Sequence, residues 1–117
     1  MIKVYGAPKI CITCRNFKHI IESRKLILEE IDIIENTANL KAFLNLREGN
    51  KTFNECRANN KIGIPCFVRE DGTVTVDMDE ALSWMGQPPV SEDEIVEKEV
   101  TDCPDCGNIL LHKLNKK

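Results

Sequence analysis

Two cysteines in the pattern C-x-x-C, Cys11 and Cys14, follow a short strand-like run near the start of the chain. Apolar and polar residues alternate over residues 2–5, which is typical of a strand, and the turn at residues 6–8 ends it. From Thr13 onward the apolar residues recur with helical spacing. The pair therefore lies at the start of a helix, where two thiols form either a redox couple or half of a metal site.

The helical pattern predicts different roles for the two thiols. Cys14 lies one turn before Phe17 and is predicted to face inward, whereas Cys11 is predicted to face solvent at the mouth of the helix. The helix N-terminus, with Lys9 and Arg15 nearby, should lower the pKa of Cys11 below its free value of about 8.5. We therefore predict that Cys11 attacks a substrate disulfide and that Cys14 resolves the mixed disulfide, a redox step that requires no cofactor.

Half a zinc site is the alternative interpretation of the same spacing. No second C-x-x-C falls at zinc-ribbon spacing within residues 1–86. A C-x-x-C in a strand–helix–strand context is typical of redox proteins. The redox interpretation is therefore favoured, and an iron–sulfur site shared between subunits is a further alternative.

Charge and hydropathy exclude several classes of function. The formal net charge is −3 without a stripe of Lys and Arg, which argues against nucleic-acid partners. No apolar run reaches the roughly 18–20 residues of a membrane span, and the first residues do not resemble a signal peptide. We therefore expect a cytoplasmic protein without a membrane partner. In that reducing compartment, six cysteines favour redox or metal chemistry over structural disulfides.

The remaining patterns predict an α/β fold. Strand-like segments are residues 2–5, 25–34, 64–69 and 73–76. Helical patterns begin at residue 13, at 36 or 37, at 52 and at 77, and the second and last end at Gly49 and Gly86. Capping boxes are predicted at residues 52–55 and 77–80. The core-facing stripe of the second helix is predicted to contain Leu40, Phe43 and Leu44, with Arg47 as a further candidate. The order β-α-β-α-α-β-β-α fits a thioredoxin-like three-layer fold with a four-stranded mixed sheet.

A second feature precedes the third strand-like segment. Pro65 is predicted to be a cis proline, and Ile64 to present its backbone to an extended substrate; an ordinary edge-strand proline is the alternative. Cys66 and Cys56 are predicted to be buried in the core rather than to react.

The chain changes character after the two prolines that follow Gln87. Residues 1–86 form the predicted domain, residues 87–102 an acidic linker, and residues 103–117 a tail with a second C-x-x-C. Cys103, Cys106 and His112 could bind zinc if a second tail or the main domain supplied a fourth ligand. The alternatives are a second redox pair that exchanges electrons with the first, or a tail with no bound metal.

Residues 1–86 resemble the glutaredoxin family. The matching segments are Val4-Tyr5, Cys11-Ile12-Thr13-Cys14-Arg15, Gly63-Ile64-Pro65, Asp71-Gly72 and Asp77-Met78-Asp79-Glu80. The resemblance implies a thioredoxin fold and glutathione-linked thiol–disulfide exchange. It further implies that Cys11 is the nucleophile, Cys14 the resolving cysteine and Pro65 the cis proline. Asp79 and Glu80 then match the acidic pair that holds the glutathione amino group.

The chain departs from the glutaredoxin pattern at several positions. The usual C-P-Y-C is C-I-T-C here, the family's lysine is displaced to Lys9, and its Gly-Gly pair is replaced by Val76-Asp77. Glutathione and a thioredoxin-reductase-type enzyme both stay open as reductants. The predicted substrates are disulfide-containing proteins or glutathione mixed disulfides. The alternative function is a metal-binding or protein-interaction module on a thioredoxin-fold scaffold.

Overall fold

Strand β1 (Lys3–Gly6) is an inner strand of a four-stranded mixed sheet. Strand β2 (Glu29–Asp32) runs parallel to it on one side, and β3 (Cys66–Val68) runs antiparallel on the other. Strand β4 (Val74–Thr75) pairs antiparallel with β3, which gives the order β2-β1-β3-β4. The computed structural model from which this architecture is taken describes residues 1–95.

Four α-helices accompany the sheet within residues 1–95. They are α1 (Ile12–Arg24), α2 (Thr37–Arg47), α3 (Asn54–Ala58) and α4 (Met78–Trp84), with 3-10 turns at Lys51–Phe53 and Glu92–Glu94. The strands and α-helices follow one another as β-α-β-α-α-β-β-α. The predicted α/β class and mixed sheet are thus confirmed. None of the helices in this part of the chain is long and apolar enough to cross a membrane.

Two apolar cores lie on opposite faces of the sheet. The first joins the sheet to α1 and α4 and contains Ile2, Val4, Phe17, Ile20, Ile21, Phe67, Met78, Ala81 and Leu82. The second joins it to α2 and α3 and contains Tyr5, Ile33, Phe43, Phe53, Cys56, Ile64 and Cys66. Val4 pairs with Phe67, whereas the next residue, Tyr5, pairs with Cys66. Alternate positions of the paired strands therefore face opposite layers.

The helix starts agree only in part with the predicted caps. Asn36, one of the two predicted start residues of this helix, caps α2 by accepting from the Asn39 N–H. The capping box at residues 52–55 is wrong, because the Thr52 hydroxyl donates to the Val74 carbonyl instead of capping a helix.

The start of α4 confirms one half of the second predicted capping box. Asp77 caps the helix by accepting from the Asp79 N–H. Glu80 does not bond back to the Asp77 backbone, because the Thr75 hydroxyl accepts from the Asp77 N–H and donates to Glu80.

Two further predictions are wrong, one on the length of the second strand and one on the burial of α2. The strand predicted over residues 25–34 is reduced to β2, because Lys25 ends α1 with a left-handed φ of 55° and a turn at Asp32, whose carboxylate accepts from the Ile34 N–H, ends the strand. On α2 only Phe43 is buried, since that helix packs through it against Tyr5 and Phe53. Leu40 and Leu44 are 38% and 47% exposed instead of buried.

The first part of the segment predicted as a linker packs against α1. Arg24 donates to both carboxylate oxygens of Glu94 and to the carbonyls of Pro88 and Pro89. Val90 and Ile95 enter the first apolar core. The described chain therefore ends beside the C-terminal end of α1.

The loop before Pro65 generates a prediction on stability. Gly63 has a φ of +92°, and a Cβ there would lie 2.8 Å from the Phe53 ring. Gly72 has a similar φ of +93°, but no atom of residues 1–95 lies within 4 Å of the corresponding Cβ. We expect Gly63→Ala to lower the free energy of unfolding by about 2–4 kcal/mol. Gly72→Ala should cost only about 1 kcal/mol, from its φ alone.

Denaturant unfolding of the two variants measures this difference. Equal losses in Gly63→Ala and Gly72→Ala would contradict a steric role for Phe53.

Candidate functional site

Cys11 is the N-cap residue of α1, and its sulfur is the acceptor that caps the helix. The Ala7 carbonyl accepts from the N–H groups of Ile10 and Cys11 at 3.0 and 2.9 Å, which forms a turn between β1 and the helix. Cys11 has the extended backbone of an N-cap residue, and its sulfur accepts from the Cys14 N–H at 3.3 Å. A cysteine here fills the role that Ser, Thr, Asp or Asn usually has.

The surroundings of the two sulfurs move their pKa values in opposite directions. The pKa of Cys11 is lowered, first by a hydrogen bond from the Cys14 thiol and then by the N–H groups of Cys14 and Thr13 and the charge of Arg15. The pKa of Cys14 is raised, because its thiol donates to Cys11 and because it is buried. The Ala7 N–H donates to the Cys14 sulfur at 3.4 Å. Of the two thiols, Cys11 therefore ionises first, and Cys14 keeps its proton to higher pH.

The prediction that Cys11 faces solvent is wrong. Its side chain is only 2% exposed and belongs to the second apolar core. The sulfur turns back over the first turn of α1 to cap it, and so the neighbouring Ile10, 66% exposed, forms the surface instead. Cys14 is buried, as predicted.

Pro65 lies next to the C-x-x-C through the topology of the sheet. The peptide between Ile64 and Pro65 is cis, as predicted. A Cβ on Gly6 would lie 3.1 Å from the Cys14 sulfur and 3.9 Å from the Pro65 Cβ. The missing side chain at the end of β1 therefore lets Cys14 and Pro65 approach the strand from the same side.

A cleft of about 480 Å³ opens beside Cys14 and Pro65. Between β1, β2 and α1 its walls carry four carboxylates and one lysine: Glu29, Glu30, Asp32, Glu35 and Lys18. We call it the acidic cleft. The sequence reasoning missed it, although four acidic residues between positions 29 and 35 were the available signal.

A second depression lies beside Ile10. This groove of about 370 Å³ runs between the Ala7 turn, α2 and the loop before Pro65, and we call it the apolar groove. Four of its lining side chains are exposed apolar residues: Ile10, Ile34, Leu40 and Leu44. It went unpredicted because Leu40 and Leu44 were assigned to the core.

The other residues predicted to bind substrate lie at the same edge of the sheet as the C-x-x-C. Lys9 lies in the turn before Cys11, and the buried Ile64 precedes Pro65, so both lie in loops at this edge. Helix α4 also begins at this edge, because β4 ends here. However, the Asp79 carboxylate accepts from the Val90 N–H and Glu80 accepts from Thr75, so each has a partner within the fold.

The remaining cysteines fall into two groups. Cys56 and Cys66 are buried, as predicted. Burial raises the pKa of Cys66 to about 12 and also raises that of Cys56. The predicted metal ligands Cys103, Cys106 and His112 lie outside the described residues. Within residues 1–95, no group of three His, Cys, Asp or Glu side chains is arranged to bind a metal ion.

The chain has limited similarity to known proteins. It is 34% identical over 50 residues to a Haemophilus influenzae protein described as an uncharacterized protein. The match covers 43% of this chain and 58% of that relative, so the chain spans less than two thirds of the relative's length. No protein-family model matches the sequence, and no solved structure matches it.

The opposite pKa shifts predict the pH at which the first thiolate forms. We expect the ultraviolet absorbance of thiolate in the reduced protein to rise in a step below pH about 8.5, the free value for cysteine. The step should be absent in Cys11→Ser and unchanged in Cys66→Ser, since the pKa of Cys66 is about 12. A step at or above the free value would contradict the N-cap argument.

The lowered pKa of Cys11 also makes the free energy of unfolding depend on pH. Because the pKa of Cys11 is lower in the folded than in the unfolded state, its contribution to stability is present above the unfolded pKa. The contribution is lost as the pH falls through the folded pKa.

The hydroxyl of Thr13 gives an independent prediction. Thr13 is buried between the two cysteines, and its Oγ1 has no hydrogen-bond partner among residues 1–95. We expect Thr13→Val to raise the free energy of unfolding by about 1 kcal/mol, because it removes an unsatisfied buried polar group. Thr75→Val is the matched control and should destabilise by about 1–3 kcal/mol, since that hydroxyl bonds to both Asp77 and Glu80. A loss of stability in Thr13→Val would show that the hydroxyl is bonded.

Proposed function

We propose that the protein is a thiol–disulfide oxidoreductase of glutaredoxin type, built on a thioredoxin-like arrangement of sheet and helices. The observation that carries the proposal is the asymmetry of the two thiols. The Cys11 sulfur caps α1 and accepts hydrogen bonds from the helix N-terminus, which lower its pKa, while the Cys14 thiol donates to Cys11 and has a raised pKa. This is the distribution of charge that a nucleophile and a resolving thiol require.

The first step is attack on the substrate disulfide. The Cys11 thiolate forms a bond to one substrate sulfur, the substrate S–S bond breaks, and the second sulfur leaves with the electron pair and takes a proton. Since Cys11 is 2% exposed, its sulfur has to turn outward from the N-cap position to make contact.

The second step resolves the mixed disulfide. Once Cys11 is bonded to the substrate, the Cys14 thiol no longer donates to a thiolate, and the largest cause of its raised pKa is gone. Cys14 then loses its proton and attacks the Cys11 sulfur. A bond between Cys11 and Cys14 forms, and the remaining substrate sulfur leaves with the electron pair and is protonated. The substrate has gained two electrons and the enzyme has lost two.

The edge of the sheet supports a role for Pro65 and Ile64 in presenting the substrate. Pro65 lies on the same side of Gly6 as Cys14, and it also lines the acidic cleft. A substrate that approaches Cys14 along this cleft encounters the carboxylates of Glu29, Glu30, Asp32 and Glu35. We expect the cleft itself to favour neutral or basic substrate segments over acidic ones.

Regeneration of the thiols requires a thiol reductant, either glutathione or a dithiol enzyme of thioredoxin-reductase type. The partners of Asp79 and Glu80 within the fold weaken the case for their binding the glutathione amino group. We place the reaction in the cytoplasm, where such reductants keep thiols reduced.

Single-cysteine variants test the proposed mechanism. Cys11→Ser should reduce turnover of a glutathione mixed disulfide or a protein disulfide to background, because the nucleophile is gone. Cys14→Ser should accumulate a mixed disulfide on Cys11, detected by mass spectrometry under non-reducing conditions.

Cys66→Ser is the matched control, since Cys66 is a buried thiol next to Pro65 with a raised pKa. It should retain turnover. Absence of turnover by the wild type with either reductant, together with no adduct on Cys14→Ser, would overturn the proposed function.

A further inference from the structure

The apolar groove is an exposed hydrophobic surface that the proposed reaction does not use. Ile10, Ile34, Leu40 and Leu44 are 66%, 43%, 38% and 47% exposed along it. Such a surface next to a reactive centre is typical of a docking site. Ile10 is also the residue before Cys11, so a segment in the groove lies directly beside the nucleophile.

We propose that this groove binds the C-terminal tail of the same chain. The segment Ile109-Leu110-Leu111 occupies the groove, and Cys103 and Cys106 thereby donate electrons to the disulfide of Cys11 and Cys14. The inference rests on the proposed function and names the immediate electron donor for that site.

The length of the chain that follows the described residues permits this contact. Ile95 lies near the C-terminal end of α1, because its neighbour Glu94 pairs with Arg24. Helix α1 has 13 residues and is therefore about 20 Å long. Residues 96–103 span up to about 26 Å when extended, which is enough to bring Cys103 back to Cys11.

The order of residues in the tail matches the path from Ile95 past Cys11 to the apolar groove. Ile95 starts on the face that carries α1, whereas the groove lies on the opposite face against α2, with Cys11 between them at the edge of the sheet. A chain that follows this route meets Cys11 first and the groove second. In the tail the cysteines come first, and Ile109 follows Cys106 by three residues, at most about 10 Å.

Charge and tethering favour the tail over a separate partner. Asp102 and Asp105 flank the cysteines of the tail, whereas Lys9 and Arg15 flank Cys11. Four exposed side chains give a weak site, but a short covalent tether supplies an effective concentration in the millimolar range. A site too weak for a free segment is therefore occupied by a tethered one.

The transfer balances as two thiol–disulfide exchanges. The Cys106 thiolate attacks the Cys11 sulfur of the oxidised pair, the bond between Cys11 and Cys14 breaks, and Cys14 leaves with the electron pair and takes a proton. Cys103 then attacks Cys106 and releases Cys11 as a thiolate. The first pair is reduced, the tail pair is oxidised, and an external thiol reductant restores the tail.

A full-length variant that stops the exchange after its first bond tests the proposal. In Cys14→Ser/Cys103→Ser, equilibrated with glutathione and its disulfide, we expect an intramolecular disulfide between Cys11 and Cys106. Proteolysis and mass spectrometry under non-reducing conditions identify the bond, and the glutathione ratio at half-formation gives its effective concentration.

A groove variant and a matched control separate docking from mere proximity. Adding Leu44→Glu should lower the effective concentration about tenfold, the loss expected for about 1.4 kcal/mol of docking free energy. Ile27→Glu changes another apolar residue, 79% exposed and outside the groove, and should leave the value unchanged.

Four results would overturn the inference. Equal effective concentrations in the Leu44→Glu and Ile27→Glu variants would show that the groove does not hold the tail. A disulfide between two chains would assign the groove to a second copy. A glutathione adduct on Cys11 without a bond to Cys106 would reject the tail as donor while leaving the proposed function intact. Neither product on Cys11 would reject the proposed function itself, and the inference with it.

Discussion

The hydrogen bond from the Cys14 N–H to the Cys11 sulfur is the interaction on which the site depends. The first N–H groups of a helix have no partner within the helix, so an outside acceptor is required. Here the acceptor is a sulfur at 3.3 Å, held in place by the turn that the Ala7 carbonyl closes. The same contact therefore starts α1 and stabilises negative charge on Cys11. The start of the helix and the lowered pKa of Cys11 thus share this contact.

The topology of the sheet brings the second half of the site to this helix end. β1 and β2 are parallel, so both end at the same edge, and α1 and α2 both begin there. β3 is antiparallel to β1 and starts at that edge, which places Pro65 beside Gly6 and Cys14. A residue more than fifty positions away in sequence thus becomes part of the Cys14 environment through strand pairing alone.

Local signals in the sequence predicted a large part of this arrangement. The start of α1 at the C-x-x-C and the Asn36 cap depend on near neighbours in the chain, whereas the prediction of the cis bond before Pro65 depends on the order of the strands and helices. The structure agrees with each. The exposure of Leu40 and Leu44 could not be predicted, because periodicity identifies an apolar stripe but not how much of it a neighbour covers.

The burial of Cys11 escaped prediction for a related reason. Helix periodicity assigns directions only to residues inside the helix, and an N-cap side chain turns back over the first turn. Its cover comes from a core cluster that also contains Ile64, Phe43 and Phe53, from distant parts of the sequence. Contacts between separate elements decide such burial, and no local pattern encodes them.

Under the proposed function, the burial of Cys11 also bears on which substrates the site favours. Burial opposes ionisation of this thiol, while the hydrogen bonds and Arg15 favour it, and the net effect lowers the pKa. When the sulfur turns outward to react, it gives up the hydrogen bond that caps α1. In the proposed mechanism, a substrate that also binds in the acidic cleft offsets that loss, whereas a small disulfide that touches only the sulfur does not. The proposed mechanism therefore implies that substrates with extended contacts react better than small disulfides.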